Sequence, residues 1–289
     1  MTGTLLIYAN CQADEMHSIV ERTETVPSLF GLERIFLGAL HEFVGRHGRA
    51  EAEARLRRVT VVWEQGSQAS AEERALIRTV VPAGARWLRF PALTCSALWP
   101  FGTSDSRPGG DALYPYSDML AARIWRDLGG AANGLDAIDD DALFDRYMTL
   151  STARMPDLER VLERDLLQWQ GRDADADIAM AAFLSGRLRQ CRLFYTAGRG
   201  SWASTGEILR RLVEATIDTP GDRTRASAEV ARMDADYVGN DTLSMPVHPL
   251  VAERLGLNWH APDERQNWRS YRLDFREFIV HCMRLSDLR

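Results

Sequence analysis

Two runs constrain the fold most: the apolar residues 4–9 (TLLIYA) and the nearly continuous β-branched residues 59–63 (VTVVW). Neither alternates polar with apolar, so neither suits a strand with one face in water. Short continuous runs of this kind belong in strands covered on both faces, as in a parallel sheet. Helical patterns lie between and after them. Residues 13–22 (ADEMHSIVER) place Ala13, Met16, Ile19 and Val20 at helical spacing. Residues 50–58 (AEAEARLRR) form a short charged helix on propensity. Residues 70–79 form another, with Ser70 and Glu73 as a capping box. After the Pro82-Ala83-Gly84 turn, residues 86–90 (RWLRF) read as a further strand. Strand and helix thus alternate, which implies a parallel, Rossmann-like sheet.

One stretch stays open. Pro27 and Gly31 break the pattern before it. Read as a helix, residues 34–43 (RIFLGALHEF) bury Ile35, Leu37 or Phe36, Leu40 and Phe43. Read as a strand over 35–40, they supply the second β element. Gly38 in mid-run favours the strand.

From residue 111 the pattern turns helical. Helices are expected over 119–128, ended by Gly129-Gly130, and from 136 to 147. Residues 156–170 carry Leu158, Val161, Leu162, Leu166 and Trp169 on one face. Further helices are expected over 173–189 after an acidic start, from a Ser204–Glu207 capping box to 216, and over 222–236. A short helix over 250–255 is closed by Gly256, and 267–288 reads as the most regular helix of all. Residues 190–196 (QCRLFYT) read as a strand or extended edge. The expected fold is α/β: a Rossmann-like part over 1–110 and a predominantly helical part over 111–289, packed together as one compact unit.

Chemistry concentrates at the junctions. Where the first run meets its helix the chain reads Ala9-Asn10-Cys11-Gln12. That places the Cys11 thiol over the first backbone N–H groups of a helix, whose partial positive charge favours thiolate. Asn10 and Gln12 add amide donors of the kind that stabilise an oxyanion. The alternative is a cysteine buried as a small apolar residue. The second run ends in Glu64-Gln65-Gly66, at the sheet edge where open α/β folds bind ligands, though an ordinary loop reads the same way. Gly198-Arg199-Gly200-Ser201-Trp202 brackets an arginine with glycines before a helix. This suits a phosphate or carboxylate, although glycine loops before helices are common. His248 sits between Pro246 and Pro249, rigidly enough for a general base or simply packed at a turn.

Composition narrows the classes. A net charge of −6 and a pI near 5.6 argue against a nucleic-acid or anionic-membrane binder. There is no lysine, which excludes Schiff-base chemistry, a lysine base and a Walker A phosphate loop. Cys11, Cys95, Cys191 and Cys282 are scattered, with no Cys-x-x-Cys pair and no histidine at ligand spacing, so no metal site is expected. No run approaches the roughly 20 apolar residues of a membrane span. The sequence opens on a strand, not on a basic region and an apolar core, and a cytoplasmic, reduced protein is expected.

The ordered landmarks together resemble the WcbI family of capsular polysaccharide biosynthesis enzymes. They are the strand into Asn10-Cys11-Gln12, the strand into Glu64-Gln65, and Phe90-Pro91-Ala92-Leu93 to Trp99-Pro100-Phe101. Tyr116-Ser117-Asp118 at a helix entry, Leu193-Phe194-Tyr195-Thr196 before a glycine loop, and the segment 246–257 complete the set. The resemblance covers nearly the whole chain. It implies a protein that binds coenzyme A or acetyl-CoA, an acyl(acetyl)transferase acting on a sugar or small-molecule hydroxyl. Cys11, Asn10 and Gln12 then carry the chemistry, while Tyr116, Ser117, Arg199, Gly200 and Ser201 line the coenzyme site. The family pattern leads one to expect a His-Pro pair after Thr196. Gly198 to Trp202 stand there instead, which leaves His248 as the candidate base. A cysteine-dependent thioesterase or esterase, or a non-catalytic coenzyme or sugar binder, are the rival readings.

Overall fold

A computed structural model describes residues 3–66, 71–103, 117–129, 138–236, 243–268 and 270–284. The elements run β1 (Gly3–Ala9), α1 (Gln12–Glu21), α2 (Thr25–Leu29), β2 (Phe30–Phe36), α3 (Leu40–His47), α4 (Arg49–Leu56), β3 (Val59–Gly66), α5 (Ala71–Val80) and β4 (Arg86–Pro91). They continue β5 (Gly102–Thr103), β6 (Ser117–Asp118), α6 (Met119–Asp127), α7 (Asp140–Arg154), α8 (Leu158–Asp173), α9 (Ala181–Arg187), β7 (Phe194–Thr196) and β8 (Arg199–Gly200). The last are α10 (Trp202–Thr216), α11 (Pro220–Asp236), α12 (Pro249–Leu255), β9 (Gln266–Trp268), β10 (Tyr271–Leu273) and α13 (Phe275–Met283). The fold is α/β, with an N-terminal parallel sheet and a mostly helical C-terminal half.

The chain forms two compact units. The first comprises Met1–Leu93, Gln168–Ser185 and Ser201–Asn240, the second Thr94–Leu167, Gly186–Gly200 and Asp241–Arg289.

In the first unit, four described strands pair in parallel in the order β2-β1-β3-β4. Leu5 through Ala9 of β1 are fully buried, as a central strand covered on both faces requires. One face packs Leu6, Tyr8 and Val62 against Ile35, Phe43, Leu56, Ile77 and Val81. Elsewhere in this unit Trp63 Nε1 donates to Thr216 Oγ1 of α10 at 2.8 Å, which satisfies the polar end of a fully buried ring. Residues 34–43 resolve into both readings at once. β2 begins earlier, at Phe30, runs through Gly31 and stops at Phe36; Gly38 turns with φ 86°, and α3 starts at Leu40. Glu73 closes that turn by accepting from the Gly38 and Leu40 N–H groups (2.8 and 2.7 Å) and from the Tyr8 hydroxyl (2.8 Å). Glu73 therefore serves a tertiary contact; Ser70, its expected capping partner, lies outside the described residues. Glu64 and Gln65 belong to β3 itself, not to a loop.

The acidic stretch from Asp173 does not begin a helix. Asp177 N–H and Ile178 N–H both donate to Arg89 O on β4 (2.8 and 3.0 Å), so this segment runs along the sheet edge. The Asp173 carboxylate accepts from Met180 and Ala181 N–H and so starts α9 eight residues later. α10 likewise starts at Trp202, ahead of the expected capping box. Ser204 Oγ donates to Ser201 O, and Glu207 pairs with Arg210 and Arg211.

The second unit combines α6, α7, α12 and α13 with short antiparallel pairs β5-β6, β7-β8 and β9-β10. The expected helix over 267–288 is a hairpin followed by a shorter helix. β9 and β10 occupy Gln266–Leu273, and Asp274 with Glu277 forms a true capping box that opens α13. Among the described residues no helix is long and apolar enough to cross a membrane.

Candidate functional site

The Asn10-Cys11-Gln12 turn sits where β1 passes into α1, at the carboxyl end of the central strand of the sheet. Asn10 Oδ1 accepts from the Gln12 N–H at 3.0 Å, so Asn10 is the side chain that caps the helix. Cys11 follows with helical dihedrals (φ −53°, ψ −17°) and occupies the first turn. Its thiol therefore lies within the positive end of the helix dipole. Cys11 is exposed, whereas Cys95 and Cys282 are buried. Burial and the neighbouring Asp165 carboxylate push the Cys95 thiol well above the usual range. Cys191 is half-buried and follows the end of α9, so of the four cysteines Cys11 alone is both exposed and placed in a helix's first turn.

Gln65, from the end of β3, ties the turn down. Its Oε1 accepts from the Asn10 N–H at 3.0 Å, and its Nε2 donates to Gln12 Oε1 at 2.5 Å. Gln12 and Gln65 are both buried, so these bonds form in a low-dielectric setting. The order of donors fixes the amides. Gln65 must turn its carbonyl to a backbone donor, and Gln12 then turns its carbonyl to Gln65. Gln12 Nε2 and Asn10 Nδ2 are left as donors flanking Cys11. Next to Gln65, Glu64 is buried and pairs with Arg74, with Arg78 (3.4 Å) and with Arg89 (3.9 Å). The glutamate and glutamine were legible as polar residues at a strand edge. The arginines were not, because their common destination depends on sheet order.

The other expected site residues, Ser201 excepted, belong to the second unit. Ser117 in β6 is buried, and among the described residues its hydroxyl has no hydrogen-bond partner. Tyr116 lies outside the described residues. Arg199 and Gly200 form β8, where Arg199 pairs in register with Thr196. Arg199 is only 8 % exposed, and among the described residues no carboxylate or carbonyl is bonded to its guanidinium. Among the described residues the buried Thr196 hydroxyl has no partner either. Ser201, assigned to the first unit, stands just before α10 and is buried.

His248, the candidate base, lies in the second unit. Its Nδ1 accepts from the Leu250 N–H at 3.1 Å and so caps α12. That leaves the proton on Nε2, which lies 3.0 Å from Ser151 Oγ. Both ring nitrogens are engaged, and the ring packs against Phe275 and Tyr147. Burial, with Arg254 adding to it, lowers its pKa to about 4. Nearby, Asp118 caps α6 and accepts from the Tyr147 hydroxyl at 2.7 Å; burial raises its pKa to about 6. Among the described residues no group of three His, Cys, Asp or Glu is placed to hold a metal ion.

Comparison with known proteins adds the family. No curated protein matches the chain. A solved structure of WcbI, described as a novel polysaccharide biosynthesis enzyme in its native form without a disulfide bond between coenzyme A and a cysteine, has a TM-score of 0.71. It shares 16% identity, with 100% of this chain and 91% of that one covered, and so shows a common fold. The model of the polysaccharide biosynthesis enzyme WcbI family matches residues 4–219, and the chain belongs to that family.

Proposed function

We propose that the protein is an acyl-coenzyme A-dependent O-acyltransferase, moving an acetyl or related group to a hydroxyl of a sugar in cytoplasmic polysaccharide biosynthesis, capsule included. The observation that carries this reading is the exposed Cys11 in the first turn of α1, flanked by oriented amide donors. The Cys11 sulfur attacks the thioester carbonyl. The oxyanion formed there accepts from Asn10 Nδ2 and Gln12 Nε2. The coenzyme thiol leaves with the cysteine's proton, and the acyl group stays on sulfur. The acceptor hydroxyl then attacks, its oxygen takes the acyl group and its proton returns to Cys11. In the second unit, the buried Arg199, with Thr196 beside it and Ser117 and Gly200 in the same unit, suits a phosphate of the coenzyme.

The solved WcbI structure supports the ligand class, since its description names coenzyme A and a cysteine together. The decisive experiment is mass spectrometry of protein mixed with acetyl-CoA. An acetyl adduct confined to Cys11, and lost in Cys11→Ala along with transfer to sugar, is the expected result. Full transfer by Cys11→Ala removes the sulfur from the mechanism. The exposure of Cys11 favours one rival, a thioesterase with water as acceptor. Release of coenzyme thiol at an undiminished rate without any sugar identifies that activity.

A further inference from the structure

Glu15 is a buried acid beside Cys11 that the transfer steps do not use. It lies in the first turn of α1, four residues after Cys11, and is only 3 % exposed. On a helix, side chains four apart are neighbours, with Cβ atoms about 5–6 Å from each other. Each Cα–Cβ bond also tilts towards the helix N-terminus, so a helical side chain covers the turn before its own Cα. This geometry directs the Glu15 side chain back over the Cys11-Gln12 turn. Asp14, the other acid of that turn, is half exposed, and its Oδ1 pairs with Arg34 Nε at 2.6 Å. His17, further along α1, has Nδ1 3.4 Å from Arg34 Nη1 and 3.7 Å from Glu21 Oε2. His248 has both ring nitrogens engaged. Burying a carboxylate is costly, and the positive end of the α1 dipole offsets part of that cost for Glu15. The first unit thus keeps a carboxylate out of water one helical turn from its exposed thiol.

We infer that Glu15 is the general base of the Cys11 site and moves the proton in both half-reactions. The inference rests on the transferase reading above. In the first half, the Glu15 carboxylate takes the thiol proton while the Cys11 sulfur attacks the thioester carbonyl. The bond from that carbon to the coenzyme sulfur then breaks, and Glu15 gives its proton to the departing thiolate. In the second half, Glu15 takes the proton of the acceptor hydroxyl while the hydroxyl oxygen attacks the acyl carbonyl on Cys11. The carbon–sulfur bond breaks, the ester leaves, and the proton passes to the Cys11 sulfur. Glu15 ends ionised, as it began. A thiol at a helix N-terminus is partly ionised without help, whereas a sugar hydroxyl is not, so the second half depends more on the base.

Rapid quench with mass spectrometry on the full chain separates the two halves. Acetyl-CoA loads Cys11, and loss of the adduct is then followed with a hexose, a nucleoside diphosphate hexose or water alone as acceptor. In Glu15→Gln, loading should persist, while loss of the adduct to whichever acceptor the wild type uses should slow by about 10²–10⁴-fold, the usual contribution of a general base. The acetyl-cysteine therefore accumulates in the variant where the wild type turns it over. Glu15→Asp keeps a carboxylate and should recover part of the lost rate. Loss of the adduct from Glu15→Gln within about threefold of the wild-type rate overturns the inference, since a base contributes far more. Equal slowing of both halves, with Glu15→Asp no better than Glu15→Gln, also overturns it and leaves Glu15 a part of the framework. If Glu15→Gln does not fold, Glu15→Asp decides alone: the second half slowed more than the first supports the inference, and equal slowing overturns it. Failure of the transferase reading registers separately, as a wild-type protein that acquires no acetyl group on Cys11.

Discussion

The backbone N–H of Asn10 donates to the side-chain oxygen of Gln65 at 3.0 Å. A backbone N–H can only donate, so this bond sets which way Gln65 faces, and through Gln65 which way Gln12 faces. A residue 55 positions away thus orients a donor beside Cys11. Gln65→Glu keeps the acceptor for Asn10 but removes the donor to Gln12. Gln12 must then turn its amide nitrogen to the new carboxylate, away from the reacting carbonyl. The expected outcome is an intact fold with acyl transfer reduced about hundredfold, the cost of one oxyanion donor. Steady-state kinetics with acetyl-CoA, alongside coenzyme affinity by calorimetry, checks that kcat falls and binding does not.

Cysteine accessibility yields a second test that needs no substrate. Cys11 is exposed in a helix's first turn, while Cys95 and Cys282 are buried and the Cys95 thiol resists ionisation. Under native conditions iodoacetamide should label Cys11 well before either buried thiol. Peptide mapping over a time course measures this, and labelling of Cys95 at the same rate as Cys11 contradicts the geometry.

The buried pair of titrating groups in the second unit gives stability a pH signature. His248 titrates near 4 when folded, against an ordinary value of 6.5. Between these values the unfolded chain takes up a proton that the folded protein refuses. The contribution of neutral His248 is therefore present above pH 6.5 and lost as pH falls towards 4, a change of about 3 kcal/mol. Asp118 acts in the opposite sense. Its folded value is raised to about 6 from 3.8, so its contribution is present below 3.8 and lost as pH rises through 6. His248→Asn retains an oxygen to cap α12 and removes the titration. In urea unfolding, the wild type's advantage over His248→Asn should shrink as pH falls from 6.5 to 4. Its advantage over Asp118→Asn should shrink as pH rises from 4 to 6. Since both nitrogens of His248 are engaged, acyl transfer by His248→Asn at neutral pH should stay within a few-fold of wild type.

The parallel sheet was legible because residues 4–9 are apolar and 59–63 nearly all β-branched, with no alternation of polar and apolar side chains beyond Thr60. The Cys11 turn was legible because strand, polar turn and helix follow one another within a few residues. Tertiary partners decided what was not legible. Glu73 is spent on Tyr8, Gly38 and Leu40, and residues 174–180 are drawn along the edge of β4 by Arg89. The apolar spacing over 267–288 hid a hairpin, though Asp274 and Glu277 already marked where the true helix begins. The meeting of Glu64 with Arg74, Arg78 and Arg89 in the first unit depends on which strands become neighbours, and no local pattern encodes that.

Arg199 sets ligand affinity against stability. The residue is 8 % exposed and, among the described residues, lacks a carboxylate partner. A charge held in that way costs folding free energy until an anion compensates it. Arg199→Met keeps the apolar stem and removes the charge. The ligand-free variant should be more stable than wild type by about 1–3 kcal/mol, on the cost of burying an unpaired polar group. Its affinity for coenzyme A should fall by at least about tenfold, since a charge-assisted phosphate contact is lost. Thermal denaturation with and without coenzyme A measures both effects in one experiment. The expected pattern is a higher Tm without ligand and a smaller rise on adding it. A lower Tm together with an unchanged ligand-induced rise would assign Arg199 to the framework of the second unit and remove it from the coenzyme site.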